Sequence, residues 1–213
     1  MTYRTRYAFL MNRARDIARH AHMSNRAPKN SLPPLFFFTD PVRTPHPEDV
    51  VAHLPAGSGV IYRHFGDRHA EAHARVLKTL SEDNGLKLLI GDDPVLAQEV
   101  GADGVHLPER SLSQAPELRD RYPDWLITGA CHGCDTLDLS EVTALDGIFI
   151  SPVFASHSPS AQGVVPLGLK GIQQFCDISP VPVLGLGGIG LDNAEQLTDS
   201  GLAGFGAIEA FHL

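Results

Sequence analysis

The sequence predicts an α/β fold of the (β/α)8 TIM-barrel class, with an extra amphipathic helix at its N-terminal side. Three observations carry this prediction. From Leu35 onward short apolar runs alternate with helix-like runs, the pattern of a parallel sheet covered by helices. The apolar runs number eight. Two glycine-rich turns, Gly187-Gly188-Ile189-Gly190 and Gly204-Phe205-Gly206-Ala207-Ile208-Glu209, stand where the last two strands end, a place where backbone N–H groups commonly form a phosphate cup.

A chain of 213 residues, 43% hydrophobic, is long enough for one large core. Strands are expected at residues 35–39, 59–63, 87–90, 104–107, 126–130, 147–151, 183–186 and 203–206. Helices are expected at 47–54, 68–83, 94–100, 113–121, 137–143, 169–177, 191–200 and from 208 to the end. Eight strand–helix pairs in this length are compact beside the ~250 residues typical of the class, so the connections must be short.

Residues 1–30 form a basic extension and linker, and 31–213 the barrel domain. Tyr7, Leu10, Met11, Ala14, Ile17, Ala18 and Ala21 share one helical face, arginines occupy the other side, and the Pro-containing stretch 27–34 ends the helix. A helix packed on the barrel or on a partner subunit is the favoured reading, and a homodimer is compatible with it. A basic arm for an anionic surface and an organelle transit peptide are the alternatives. The net charge is −8, and outside the first 30 residues ten bases face twenty-four acids, which argues against a nucleic-acid partner. No apolar run of about 18 residues suggests a membrane span. Three cysteines and no secretion signal lead to an expectation of cytoplasmic localisation.

Barrels of this class hold their chemistry at the carboxyl ends of the strands. Those ends offer Thr39-Asp40, Arg63-His64, Gly91-Asp92-Asp93, His106 with Glu109, Cys131-His132, Ser151 with the loop Ser156-His157-Ser158, Gly187-Gly188 and Glu209. Each also has a structural reading. Asp40 before Pro41 suits a turn, Asp93 before Pro94 suits a helix N-cap, and His106 suits a satisfied histidine at a strand end. Cys131-His132-Gly133-Cys134 has the spacing of a redox pair or half a zinc site, although chance placement is the simpler account without a second pair. Cys176 reads as a small core residue.

Leu35-Phe36-Phe37-Phe38-Thr39-Asp40, Leu88-Leu89-Ile90-Gly91-Asp92, Gly101-Ala102-Asp103-Gly104-Val105-His106-Leu107, Ser151-Pro152-Val153-Phe154, Pro166-Leu167-Gly168-Leu169 and Gly187-Gly188-Ile189 occur in an order and spacing that resembles the thiamine phosphate synthase and TenI-like family. The resemblance covers roughly residues 35 to 211. It implies a TIM barrel and either of two activities. A synthase of this family joins a pyrimidine methyl diphosphate to a thiazole phosphate with loss of pyrophosphate, using Mg²⁺. TenI-like members include thiazole tautomerases.

Carried across residue by residue, the family pattern is kept at some positions and altered at others. Arg63 matches the family arginine after the second strand, but Ile61, His64 and Phe65 replace its glutamine, glutamate and lysine. Asp92 matches one magnesium aspartate, while Gly91 replaces its asparagine neighbour and Pro108-Glu109-Arg110-Ser111 replaces the segment with the second aspartate. Ala130 replaces a serine, Ser156-His157-Ser158-Pro159 a Thr-x-Thr-Lys loop, and Glu209 a serine in the last loop. These changes fall on diphosphate, magnesium and phosphate binding.

The resemblance thus implies a divergent member whose magnesium and pyrophosphate site is degraded, more in keeping with a TenI-like tautomerase or accessory protein. An active synthase and a non-catalytic ligand- or metal-binding barrel using Cys131 and Cys134 remain the alternatives. His132 and Arg63 are the candidate catalytic residues, and His132 suits proton transfer near neutral pH. Gly187, Gly188, Ile208, Glu209, Ser156, Ser158 and His106 are the candidate substrate-binding residues. Asp92 is the candidate metal ligand, for Mg²⁺ if synthase activity is retained and otherwise without a cofactor. The implied partner is a small heterocycle or phosphate ligand.

Overall fold

Strand β1 (Leu35–Phe38) shows how the sequence builds the barrel. Successive side chains of a strand point to opposite faces, so this wholly apolar run can pack on both. Phe36 and Phe38 enter the barrel interior with Ile61, Leu89, Phe149 and Leu184. Leu35 and Phe37 join the layer between sheet and helices. The structure, a computed structural model, describes residues 2–23, 32–133, 138–156 and 163–212.

All eight expected strands are present: β1, then β2 (Gly59–Tyr62), β3 (Lys87–Gly91), β4 (Gly104–Leu107), β5 (Leu126–Cys131), β6 (Gly147–Ile150), β7 (Val183–Gly185) and β8 (Phe205–Ala207). Each pairs in parallel with the next, and β8 closes on β1 with Phe205 opposite Leu35. The interior is filled by aromatic edges, with Phe149 meeting Phe36 at 5.2 Å and Phe38 at 5.0 Å, both nearly perpendicular. Glycines make room for these rings. A Cβ on Gly59 would lie 2.2 Å from the Phe36 ring, and one on Gly206 would lie 2.5 Å from Phe38.

Helices α2 (Pro47–Val51), α3 (Ala70–Asp83), α4 (Pro94–Val100), α5 (Ala115–Arg121), α6 (Leu139–Val142) and α7 (Gly168–Ile178) follow the first six strands in turn. Helix α4 keeps its expected bounds because its ends are written in the sequence. Asp93 accepts the Leu96 N–H at 2.9 Å as N-cap, Pro94 opens the first turn, and Gly101 closes the helix in the left-handed region. Asp103 seals the opposite end of the barrel from the site, accepting Leu88 N–H at 3.0 Å and Lys87 at 2.8 Å. Burial works against its ionisation, but these donors and Lys78 hold its carboxyl below the usual range.

Two expected helices are replaced by single 3-10 turns, Ala194–Leu197 and Glu209–Phe211. In the first case Asn193 is recruited by the preceding loop, its Oδ1 accepting Gly190 N–H at 2.9 Å and its Nδ2 donating to Gly188 O at 2.7 Å. In the second, the space outside β8 is already occupied by α1 (Tyr3–Met23). This helix buries Tyr7, Leu10, Met11, Ala14, Ile17 and Ala21. It stands between the Ala194–Leu197 turn, through Arg13 and Glu195 at 3.4 Å, and the segment after α2, through Arg15 and Ala56 O at 3.5 Å. That is where the eighth helix of a barrel covers strands eight and one. Tyr7 ties it to the chain beyond β8, donating its hydroxyl to Phe211 O at 2.8 Å. No helix among the described residues is long and apolar enough to cross a membrane.

Candidate active site

At the carboxyl ends of the strands a cavity of about 370 Å³ opens between the β1, β2, β5 and β6 ends and the loops after β7 and β8. Its back wall is the pair of glycine-rich turns. Gly188 has φ +69°, and a Cβ there would lie 2.4 Å from Ala155 O, so the β7 and β6 loops approach as closely as they do only because this residue is glycine. Phe154 N–H donates to Gly187 O at 3.0 Å and fixes that approach. Gly187, Gly188, Ile208, Glu209, Ser156, His132 and Arg63 all line this one space. Ser158 and Cys134 lie outside the described residues.

Arg63 is folded back on the end of β1. Its Nε and Nη2 donate to Thr39 O at 2.9 and 2.7 Å, its backbone N–H donates to Thr39 Oγ1 at 2.9 Å, and its guanidinium stands 5.6 Å from the Phe38 ring centre. Burial lowers its pKa to about 10, with Asp40 opposing, so it stays charged at neutral pH. Asp40 accepts the Val42 and Arg43 N–H groups at 3.0 and 2.9 Å and Arg43 Nη2 at 2.8 Å. Burial would raise the Asp40 pKa, but the Arg43 side-chain and backbone bonds outweigh it and hold it down.

Arg43 also reaches Glu209, Nη1 to Oε1 at 3.5 Å. The Glu209 carboxylate therefore has a cationic partner, and that partner is neither Arg63 nor His132. Arg43 and Arg6 line the cavity too. The sequence reading held that the substitutions weaken anion binding throughout; with three guanidinium groups around it, the cavity itself can still attract an anion. The signal for Arg43 was available as an acid and a base three apart after the first strand, whereas nothing in the sequence set Arg6 apart from the other bases of its helix.

His132 sits across the cavity from these arginines' strands, at the end of β5. Its backbone N–H donates to Glu109 Oε2 at 3.1 Å. Its Nδ1 lies 3.3 Å from Ser151 O and 3.1 Å from Ser151 Oγ. Ser151 O accepts from Nδ1 when that nitrogen carries the hydrogen, and Ser151 Oγ can donate to Nδ1 or accept from it, so the two contacts orient the imidazole in either tautomer. Cys131 is buried, with its thiol donating to Gly133 O at 3.0 Å.

His106 and Asp92 do not line the cavity. His106 is buried in the barrel, with Nδ1 3.0 Å from Thr128 Oγ1 and its ring edge-on to Phe38 and Phe149 at 5.2 and 5.5 Å. Burial, assisted by the charge of Arg63, lowers its pKa to about 3, so it is neutral. Asp92 is ion-paired with Arg110. Magnesium needs several oxygen ligands in a tight octahedron. Here Asp92 is held by an arginine, Glu109 is turned to the His132 N–H, and no group of three His, Cys, Asp or Glu among the described residues is arranged for a metal ion. This donor set does not fit Mg²⁺.

The structure is thus a closed eight-stranded parallel barrel with an arginine-lined, glycine-walled cavity at its carboxyl end, where barrels of this class hold their sites. The family model described as thiamine monophosphate synthase matches residues 36–211. A thiamine-phosphate synthase of Alcanivorax borkumensis is 31% identical over 86% of this chain and 87% of its own. One of Latilactobacillus sakei is 32% identical over 65% of this chain and 62% of its own length, just under two thirds of that relative. In structure, the thiamine phosphate pyrophosphorylase of Pyrococcus furiosus superposes with a TM-score of 0.68 at 23% identity, covering 85% of this chain and 87% of its own, a likeness of fold. The chain belongs to the thiamine phosphate synthase and TenI-like family.

Proposed function

We propose that the cavity binds a phosphorylated heterocycle and that the protein acts as a TenI-like thiazole tautomerase, moving a proton on the ring. The observation that supports this reading is the separation of the parts. His132 shares the cavity with the Gly187-Gly188 and Ile208-Glu209 turns, while Asp92 is outside it on Arg110. Nε2 of His132 takes a proton from one ring position, and the resulting imidazolium returns it to another, so no atom is gained or lost. Ser151 orients the ring through its O and Oγ contacts with Nδ1. The oxyanion of the ligand sits against the last two turns and the arginines, and positions the ring.

The test is interconversion of thiazole phosphate carboxylate tautomers by the pure protein, followed by NMR. His132→Ala should lower the rate by roughly 10²–10⁴-fold, the usual contribution of a positioned acid or base. An unchanged rate removes His132 from this role. The retained Arg63 supports a second reading, a synthase in which guanidinium groups neutralise the departing pyrophosphate. Formation of thiamine phosphate from the two phosphorylated precursors would favour that reading.

A further inference from the structure

The three arginines of the cavity are not equivalent. Arg43 is paired with Asp40 and Glu209, and Arg63 rests 3.6 Å from Asp40. Arg6 has no carboxylate partner among the described residues. Its Nη1 donates to His212 O at 3.1 Å, and its Nε–H is buried without a partner. The one other acid on the cavity wall, Asp192, is exposed. Asp40 and Glu209 pair with Arg43 and Arg63, so Arg6 is the one of the three cavity arginines that no carboxylate among the described residues holds in an ion pair.

Nor is Arg6 a free arm. The next residue, Tyr7, is fully buried, its ring 5.2 Å from Phe211 and its hydroxyl on Phe211 O. Leu10 and Met11, one turn on, are buried as well. The helix is thus locked against the end of β8, and holds a guanidinium at the cavity with part of its hydrogen-bonding capacity unmet. Of this guanidinium on the cavity wall only Nη1 has a protein acceptor among the described residues, which leaves donors for a charge-assisted bond to a bound oxyanion.

We propose that Arg6 is a ligand-binding residue: the N-terminal helix supplies the cation that receives the phosphate monoester of the ligand and offsets the carboxylate of Glu209. This rests on the reading of the cavity as a site for a phosphorylated heterocycle. It gives the segment in front of the barrel two tasks, replacing the eighth barrel helix and completing the site. Arg6 and Glu209 then form a compensating pair acting on the same anion from opposite signs of charge.

Inorganic phosphate is the probe, titrated by calorimetry into the protein comprising residues 1–213, with Arg6→Gln, Arg6→Lys, Glu209→Ser and the Arg6→Gln/Glu209→Ser double variant. Arg6→Gln should weaken phosphate binding at least about tenfold, as expected for loss of a charge-assisted bond. Arg6→Lys should retain most of the affinity, Glu209→Ser should tighten binding, and the double variant should return toward wild type. In the wild-type protein, which needs no refolding of a variant, phosphate should protect Arg6 from phenylglyoxal. Arg6→Gln with wild-type affinity, or Arg6 modified at the same rate with and without phosphate, overturns the assignment. If Glu209→Ser still tightens binding in that case, the cavity reading stands and only Arg6 is wrong. If neither wild type nor Glu209→Ser binds phosphate, the cavity reading fails and takes this inference with it.

Discussion

Lowering the pH should destabilise the protein through His106, by an amount the structure sets. Its pKa is about 3 in the fold, against an ordinary value of 6.5. A histidine with a depressed folded pKa leaves the unfolded chain binding more protons than the native one. Its contribution is therefore fully present above the unfolded value, lost progressively as pH falls below about 6.5, and gone at the folded value. Between pH 7 and pH 5 the loss is roughly 2 kcal/mol, from the proton uptake available only to the unfolded chain. Other groups titrate in this window, so the comparison is with His106→Asn, which keeps a polar group for Thr128 Oγ1 and does not titrate. Urea unfolding of both proteins at pH 7 and 5 gives four stabilities, and wild type should lose about 2 kcal/mol more than the variant. A difference under about 0.5 kcal/mol would mean that His106 protonates in the native state near its ordinary pKa. It would then be wet or anion-facing, and the account of it as a neutral strut among aromatic edges would be wrong.

Gly59→Ala places a methyl 2.2 Å from the Phe36 ring, and should cost about 1–3 kcal/mol or more in chemical denaturation. Tyr7→Phe removes the hydroxyl that donates to Phe211 O, and should lower stability by roughly 1 kcal/mol by the same measurement. Asp92→Asn removes the partner of Arg110 at an exposed pair outside the cavity, so the tautomerisation rate should stay within about twofold of wild type; a large loss in a magnesium-dependent assay would restore Asp92 as a metal ligand.

The strands were legible because a barrel strand is a short apolar run buried on both faces, bounded by glycine or charge, and each of the eight runs has that form. Helix α4 was legible to the residue because Asp93, Pro94 and Gly101 are local signals. The helices expected at 191–200 and from 208 were not, since what prevents them is tertiary: Asn193 is used by the loop before it, and α1 fills the place outside β8. The site divided in the same way. Residues next to strand ends, such as Arg63, His132, Gly188 and Glu209, come together because the barrel converges there. His106 also follows a strand's register, but the register turns it inward onto Phe38 and Phe149, which the spacing alone did not reveal. The run 101–107, the most specific part of the resemblance, is largely architectural, with Asp103 binding Leu88 N–H and two lysines.

Glu209 illustrates how a charge read in isolation misleads. In the sequence it is a carboxylate in a phosphate cup, and a like charge within about 4–6 Å of a bound phosphate is unfavourable. In the fold it is one end of a chain of ions running through Arg43 and Asp40 to Arg63. A ligand entering beside it meets Arg43 as well, and an incoming phosphate competes with Glu209 for that guanidinium. Affinity then depends on the difference between two anions on the same cation, with Arg6 free of the competition. Under the proposed function, a site built this way would hold a phosphate less tightly than a serine-lined cup with the same arginines, and would suit a ligand whose ring contributes much of the binding. Glu209→Ser should therefore tighten inorganic phosphate proportionally more than it tightens the whole heterocyclic ligand.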